Sequence, residues 1–209
     1  AKVDLSAGSW DNRRLDADVS TALNSDGSVR GRLVGVHQER NSYLDRYSTE
    51  RNVAYGVIEA DLTDSTNIAI GHTYQLYTDG SKRHYKVSDS VATDWAYMRV
   101  DTNVSFAELT HYFNNEWKVK GQLTHKETNS EGRYNYVAGN EDRATGLGTF
   151  TSFPYIYSFA TKDHVADVYA SGPFELAGRK HELVVGATWN KSYMQEFSRT
   201  GDTIGNIFV

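Results

Sequence analysis

Arg13-Arg14-Leu15-Asp16-Ala17-Asp18-Val19-Ser20-Thr21-Ala22-Leu23 alternates between two kinds of side chain. Leu15, Ala17, Val19, Thr21 and Leu23 share one parity; Arg14, Asp16, Asp18 and Ser20 share the other. A period of two marks a strand with one apolar and one wet face, because successive side chains of an extended chain point to opposite sides. Asn24-Ser25-Asp26-Gly27-Ser28 follows and has the composition of a tight turn. The rhythm continues outward. A second strand is predicted at about 29–40, and a pair at 53–62 and 67–77 in which Ile68, Ile70, His72, Tyr74 and Leu76 share a face. Another pair, at about 100–113 and 117–128, flanks Asn114-Asn115-Glu116; there Trp117, Val119, Gly121 and Leu123 oppose Lys118, Lys120, Gln122 and Thr124. The last pair, 162–171 and 181–194, sets Leu183, Val185, Ala187 and Trp189 against Glu182, Val184, Gly186 and Thr188. With residues 2–7 this predicts an all-β antiparallel meander of about nine strands. No stretch sustains apolar residues at helical spacing over three turns.

The connections carry a second pattern. Short turns at 24–28, 63–67, 114–116 and 172–180 alternate with long stretches at 41–52, 78–99 and 129–161. Both prolines, Pro154 and Pro173, are assigned to connections, where a missing N–H harms no ladder. Short turns at one end and long loops at the other are the habit of outer-membrane barrels. Composition agrees: 39% hydrophobic residues, 12% aromatics and 14 Tyr against 2 Met suit a sheet with one wet face better than a helical core. The absence of cysteine excludes a disulfide framework and thiol chemistry. A net charge of -5, from 22 basic and 27 acidic residues well mixed, leaves no broad basic face for nucleic acid. No apolar run reaches the roughly 20 residues of a membrane helix, which says nothing against strands.

Several segments, in the same order, resemble TonB-dependent ferric-siderophore receptors of the ferric-coprogen and ferric-pyoverdine group. They are Gly8-Ser9-Trp10-Asp11-Asn12 through Ser20, Gly27–Val34, Tyr55–Thr63, Gly71-His72-Thr73-Tyr74-Gln75, Asp94-Trp95-Ala96-Tyr97 and Gly178–Gly186. The resemblance covers nearly the whole chain. It implies residues 1–209 are a segment of a barrel that has 22 strands in large transporters of this type. It also implies a plug domain and a TonB-contacting segment, neither matched here. The family's aromatic stretch after the Tyr-Gln of the fourth strand is replaced by Leu76-Tyr77-Thr78-Asp79-Gly80. Ala1–Leu5 reads as a strand already under way, and Ile207-Phe208-Val209 as a loop, so both ends are expected to be cut points.

The expected work is therefore binding and gated passage in the bacterial outer membrane, with no enzymatic step and no cofactor. The implied partners are membrane lipid, TonB through the plug, and a ferric siderophore as transported ligand, of hydroxamate type by the nearest resemblance. Such pockets use Trp and Tyr because flat amphipathic rings give contact area at low entropy cost. Trp95 is the first candidate, since Asp94-Trp95-Ala96-Tyr97 matches a loop that contributes a Trp in the family; Tyr97, Tyr134, Tyr136, Tyr155 and Tyr157 follow from the long loops. The plainer role for each is loop packing or an interfacial position. Trp117 and Trp189 end outward stripes and read as girdle residues. The seven His show no metal spacing. The competing readings are a small self-contained barrel or a soluble β-sandwich, with a structural, adhesive or hydrolytic role. A hydrolase would use His84 beside Asp79 and Asp89, or His164 beside Asp163 and Asp167.

Overall fold

The fold comes from a computed structural model that describes residues 1–44, 47–80, 93, 95–142, 144–145, 147–202 and 206–208. The strands are β1 (Lys2–Gly8), β2 (Asn12–Ala22), β3 (Val29–Asn41), β4 (Ser48–Thr63), β5 (Thr66–Asp79), β6 (Tyr97–Tyr112), β7 (Lys118–Asp142), β8 (Leu147–Leu176), β9 (Arg179–Thr200) and β10 (Asn206–Phe208). Each pairs antiparallel with the next from β1 to β9, and β10 pairs β8 beyond the end of β9. The predicted nine-strand meander is therefore the fold, with β10 as a short addition. No helix of the described residues is long and apolar enough to cross a membrane, which says nothing of strands.

Four expectations need correction. Residues 129–161 are not a connection: they continue β7 and β8 as one long hairpin, paired from Lys118↔Ser171 to Asp142↔Leu147. Gly172–Lys180 is mostly strand too, and the turn is only Ala177-Gly178, both left-handed at φ 52 and 72. Two consecutive left-handed residues are what the tightest hairpin turn needs to match the twist of its strands. Both prolines lie inside β8, and Ile207-Phe208 lies in β10, not a loop. Pro154 sits where β8 changes neighbour. It pairs with Asn135 on one side, while on the other its carbonyl accepts the Gly201 N–H at 2.8 Å, just past the last β9 pair, Tyr155↔Thr200. Its missing N–H leaves the Pro154–Gly201 pair with one bond instead of two, and the β9 ladder stops there, at the break between β9 and β10.

Exposure tells the two faces apart. Leu123 is 64% exposed and Ile70 57%, whereas on the opposite face Ser130 is 5% exposed and Ala69 7%. Side chains on the inside of a curved sheet converge and shield one another, so the polar face is concave and the apolar face convex. The inner face carries ion pairs between strands, among them Arg32–Asp18 at 2.6 Å and Lys120–Glu108 at 2.6 Å. Surface-type pairs such as these stabilise by at most about 1 kcal/mol each, so they satisfy the wet face more than they hold the sheet.

The outer band runs obliquely across the strands. One row of register partners reads Val3, Ala17, Gly35, Ala54, Tyr74, Asn103, Glu127, Lys162 and Tyr193. It starts apolar and ends charged, while the apolar outer residues of β9 lie nearer the short turn, at Leu183, Val185, Ala187 and Trp189. A band inclined to the hydrogen-bonded rows means tilted strands, as closure into a barrel requires. Among the described residues, the strands at the two edges, β1 and β9, have one neighbour apiece, leaving a row of unpaired backbone groups on each.

The short turns obey local chemistry. Asp26 Oδ1 accepts the Ser28 N–H at 3.2 Å and the Ser28 hydroxyl at 3.0 Å, and Gly27 takes φ 76. These two bonds, the backbone one first, hold the Asp26 carboxyl below the usual carboxylate range. A depressed folded-state value means the turn is fully supported above the ordinary carboxylate pKa and loses that support as pH falls through the lowered one. The Ser28 amide proton should titrate with a midpoint below that of an ordinary Asp and stop titrating in Asp26→Ala. A midpoint at or above the ordinary value would contradict the turn geometry.

Candidate functional site

Strand parity sorts the candidate residues. Tyr134 pairs with Tyr155, and Tyr136 with Phe153, all on the inner face of the β7–β8 hairpin. Ring centroids lie 6.4 Å apart for Tyr134–Tyr155, 6.3 Å for Tyr155–Tyr157, 6.0 Å for Tyr157–Phe159 and 5.0 Å for Tyr136–Phe153. Tyr155 and Tyr157 are two residues apart on one strand and nearly parallel, at 16°. Three of the six candidates, Tyr134, Tyr155 and Tyr157, therefore meet with Phe159 in one aromatic ladder, and Tyr136 pairs with Phe153 beside it on the same face. Tyr97 does not join them. It pairs with Arg133, one residue out of phase with Tyr134, and so stands on the outer face. Trp95 precedes β6, is 40% exposed, and makes no ring contact with the ladder among the described residues.

The ladder has polar company that the alternation did not single out. The Tyr47 and Tyr77 hydroxyls donate to Asp79 Oδ2 at 3.4 and 3.2 Å, at the loop end of β5. Burial pushes the Asp79 carboxyl up, and the two hydroxyls act in the opposite direction. Burial also pushes the Tyr134 hydroxyl up, followed by the charge of Asp79 and then by Tyr157 and Tyr155, and the register puts Asp79 in one inner row with Met98, Gly132 and Tyr157. The Arg51 guanidinium lies 5.7 Å from the centre of the Tyr77 ring. A cation over a ring, a carboxylate held by two phenols and a run of stacked rings form a surface that can grip a bulky, polar, ring-bearing ligand. Arg51 and Phe159 fall in residues 41–52 and 129–161, which read as loops, where parity has no meaning, and Tyr77 ends the predicted strand 67–77 on the face opposite Tyr74 and Leu76.

The other motifs resolve more simply. His164 faces outward, whereas Asp163 and Asp167 on either side of it face inward, bonding Ser192 and Thr188. Adjacent strand positions cannot converge on one substrate, so this hydrolytic arrangement fails. The alternative at His84 and Asp89 lies outside the described residues. Trp117 lies over Gly172 at the turn end of the outer face and donates its indole N–H to the Pro173 carbonyl at 3.1 Å. Trp189 shares an outer row with Ala166 and Leu123.

No family model matches the chain. Among curated proteins, the ferripyoverdine receptor of Pseudomonas aeruginosa is 32% identical over 208 residues, 92% of this chain and 25% of that protein. The chain is homologous to a barrel segment of the ferripyoverdine receptors. A ferric-pyoverdine receptor of Pseudomonas putida is 32% identical over 200 residues, 88% of this chain and 24% of the relative. The crystal structure of the Pseudomonas aeruginosa ferripyoverdine receptor of the outer membrane, bound to ferripyoverdine, superposes with a TM-score of 0.83 at 34% identity, covering 94% of this chain and 28% of that one. The ferric-catecholate import receptor of E. coli superposes with a TM-score of 0.80 at 11% identity, a likeness of fold alone. The chain thus spans about a quarter of the length of the ferripyoverdine receptors it matches. These homologues are outer-membrane transport receptors, not enzymes.

Proposed function

We propose that this chain is a wall segment of an outer-membrane receptor that binds a ferric siderophore and passes it inward with TonB energy coupling. The observation that carries the reading is the aromatic ladder of Tyr134, Tyr155, Tyr157 and Phe159, on the inner face beyond the apolar band. The homologues make a ferric pyoverdine the ligand to test first, ahead of simpler hydroxamate chelates. The open edges of β1 and β9 support a larger barrel, since each unpaired backbone group in hydrocarbon costs several kcal/mol. In this reading residues 1–209 are barrel, and the plug that contacts TonB and the remaining strands belong to the rest of the receptor.

Tyr155→Ala tests the site in the full-length receptor that carries this segment. Tyr155 is a middle ring of the ladder, and an aromatic contact with the ligand contributes about 0.5–1.5 kcal/mol, so ferric-pyoverdine affinity should fall up to about tenfold. Tyr97→Ala, on the other face, should bind as the parent does. Unchanged affinity in Tyr155→Ala, or an equal loss in both variants, would place the ligand elsewhere.

A further inference from the structure

We infer that the outer face carries a docking site for a phosphate-bearing membrane lipid, its headgroup on His125, His164, Lys162 and Lys191 and an acyl chain in the apolar groove below. This rests on the proposed reading that the convex face meets lipid. The groove follows the row Ile58, Ile70, Ala107, Leu123, Ala166 and Trp189, where the two alanines leave a trough between larger apolar side chains. The next row toward the long loops is polar. It reads His72, Ser105, His125, His164 and Lys191, and the row beyond contains Glu127, Lys162 and Tyr193. The change from apolar to basic therefore takes one step along each strand, which is the profile of a hydrocarbon–headgroup boundary.

The basic side chains are gathered. His125 and His164 bring their Nδ1 atoms to 3.3 Å, with ring centroids 4.6 Å apart. Lys191 follows His164 in the row and lies 4.9 Å from the Tyr193 ring centre. Glu127 is the one carboxylate of these two rows among the described residues of β7, β8 and β9. It takes Lys162 at 2.9 Å and the His125 Nε2 at 3.3 Å. His164 and Lys191 have no carboxylate partner among the described residues. The two Nδ1 atoms are within hydrogen-bond distance, so one ring donates and the other accepts, which holds both imidazoles together at the edge of the trough. Basic groups just outside an apolar surface attract anionic headgroups by about 1 kcal/mol each, and the apolar trough supplies the second anchor.

The test uses the full-length receptor in nanodiscs of phosphatidylcholine with graded phosphatidic acid, counting lipid retained through detergent exchange by mass spectrometry. The parent should retain phosphatidic acid in preference to phosphatidylcholine. The double variant His164→Gln, Lys191→Gln should bind it at least about fivefold more weakly, from the loss of the Lys191 charge together with the His164 contact. Glu127→Gln should move the other way, because it releases Lys162 and His125 from their carboxylate. Ferric-siderophore binding should be unchanged in both. Equal lipid preference in all three proteins would overturn the inference. So would full competition by millimolar inorganic phosphate, which would make this a soluble-anion site. A protein that needs no detergent would instead refute the membrane reading beneath it, so the two failures are separable.

Discussion

Leu123→Arg is expected to cost barrel assembly about 1–3 kcal/mol, between the midplane and interfacial values, whereas Gln122→Arg, one residue away, is expected to be tolerated. Leu123 is the last apolar outer residue of β7 before His125, between Ala107 and Ala166 in its row, with 64% of its surface open. An arginine there meets hydrocarbon, with small neighbours and no carboxylate beside it. Gln122 lies on the inner face between Glu108 and Asp167, which would receive a guanidinium. Leu183→Arg on the same outer face should cost only about 0–1 kcal/mol, because Leu183 pairs with Gly172 close to the Ala177-Gly178 turn, where strands leave the membrane. Urea unfolding of the full-length receptor in lipid vesicles measures all three. Equal tolerance at 122 and 123 would refute the face assignment, and equal cost at 123 and 183 would refute the depth assignment.

Gly132→Val is expected to lower ferric-siderophore affinity about tenfold, roughly 1.4 kcal/mol, and to leave assembly intact. Gly132 is buried beneath the Tyr134 side chain, which folds back along its own strand, and a Cβ at 132 would land on the Tyr134 ring and hydroxyl. The ring must then swing away from Tyr155, breaking the ladder at its first rung. Even Gly132→Ala should shift affinity in the same direction, since the conflict is with the Cβ itself. The strand pairing at 132 is backbone-made, Met98 on one side and Tyr157 on the other, so the sheet has no reason to yield. Titration of ferric pyoverdine against the purified receptor reads the effect. Parent-like affinity in Gly132→Val would remove Tyr134 from the site.

What the sequence made legible follows from where the membrane lies. Within the band, one face meets lipid and the other water, so β2, β5, β9 and the first part of β7 alternate cleanly and their parity could be read by eye. Above the band both faces are wet. Thr128-Asn129-Ser130-Glu131-Gly132-Arg133 is polar at every position, and a strand with two wet faces has the composition of a loop. Its strand character comes only from cross-strand pairing, which no local pattern records. The same blindness hid Arg51 and Asp79 from the candidate site and left Tyr97 among its members. One signal was available in that region. Phe153, Tyr155, Tyr157 and Phe159 place an aromatic at every second position, a period of two that a loop has no cause to keep.

The length of β7 and β8 has a mechanical consequence. Their ladder runs unbroken from Lys118↔Ser171 in the wall to Asp142↔Leu147 at the tip, so the gripping surface and the membrane wall are one continuous beam. A beam of paired backbone transmits force but does not swing, unlike a flap hinged on a flexible loop. If the proposed site is right, capture and release are timed by parts that move against this hairpin, and the hairpin is the fixed jaw that sets where, and in what orientation, the cargo is held.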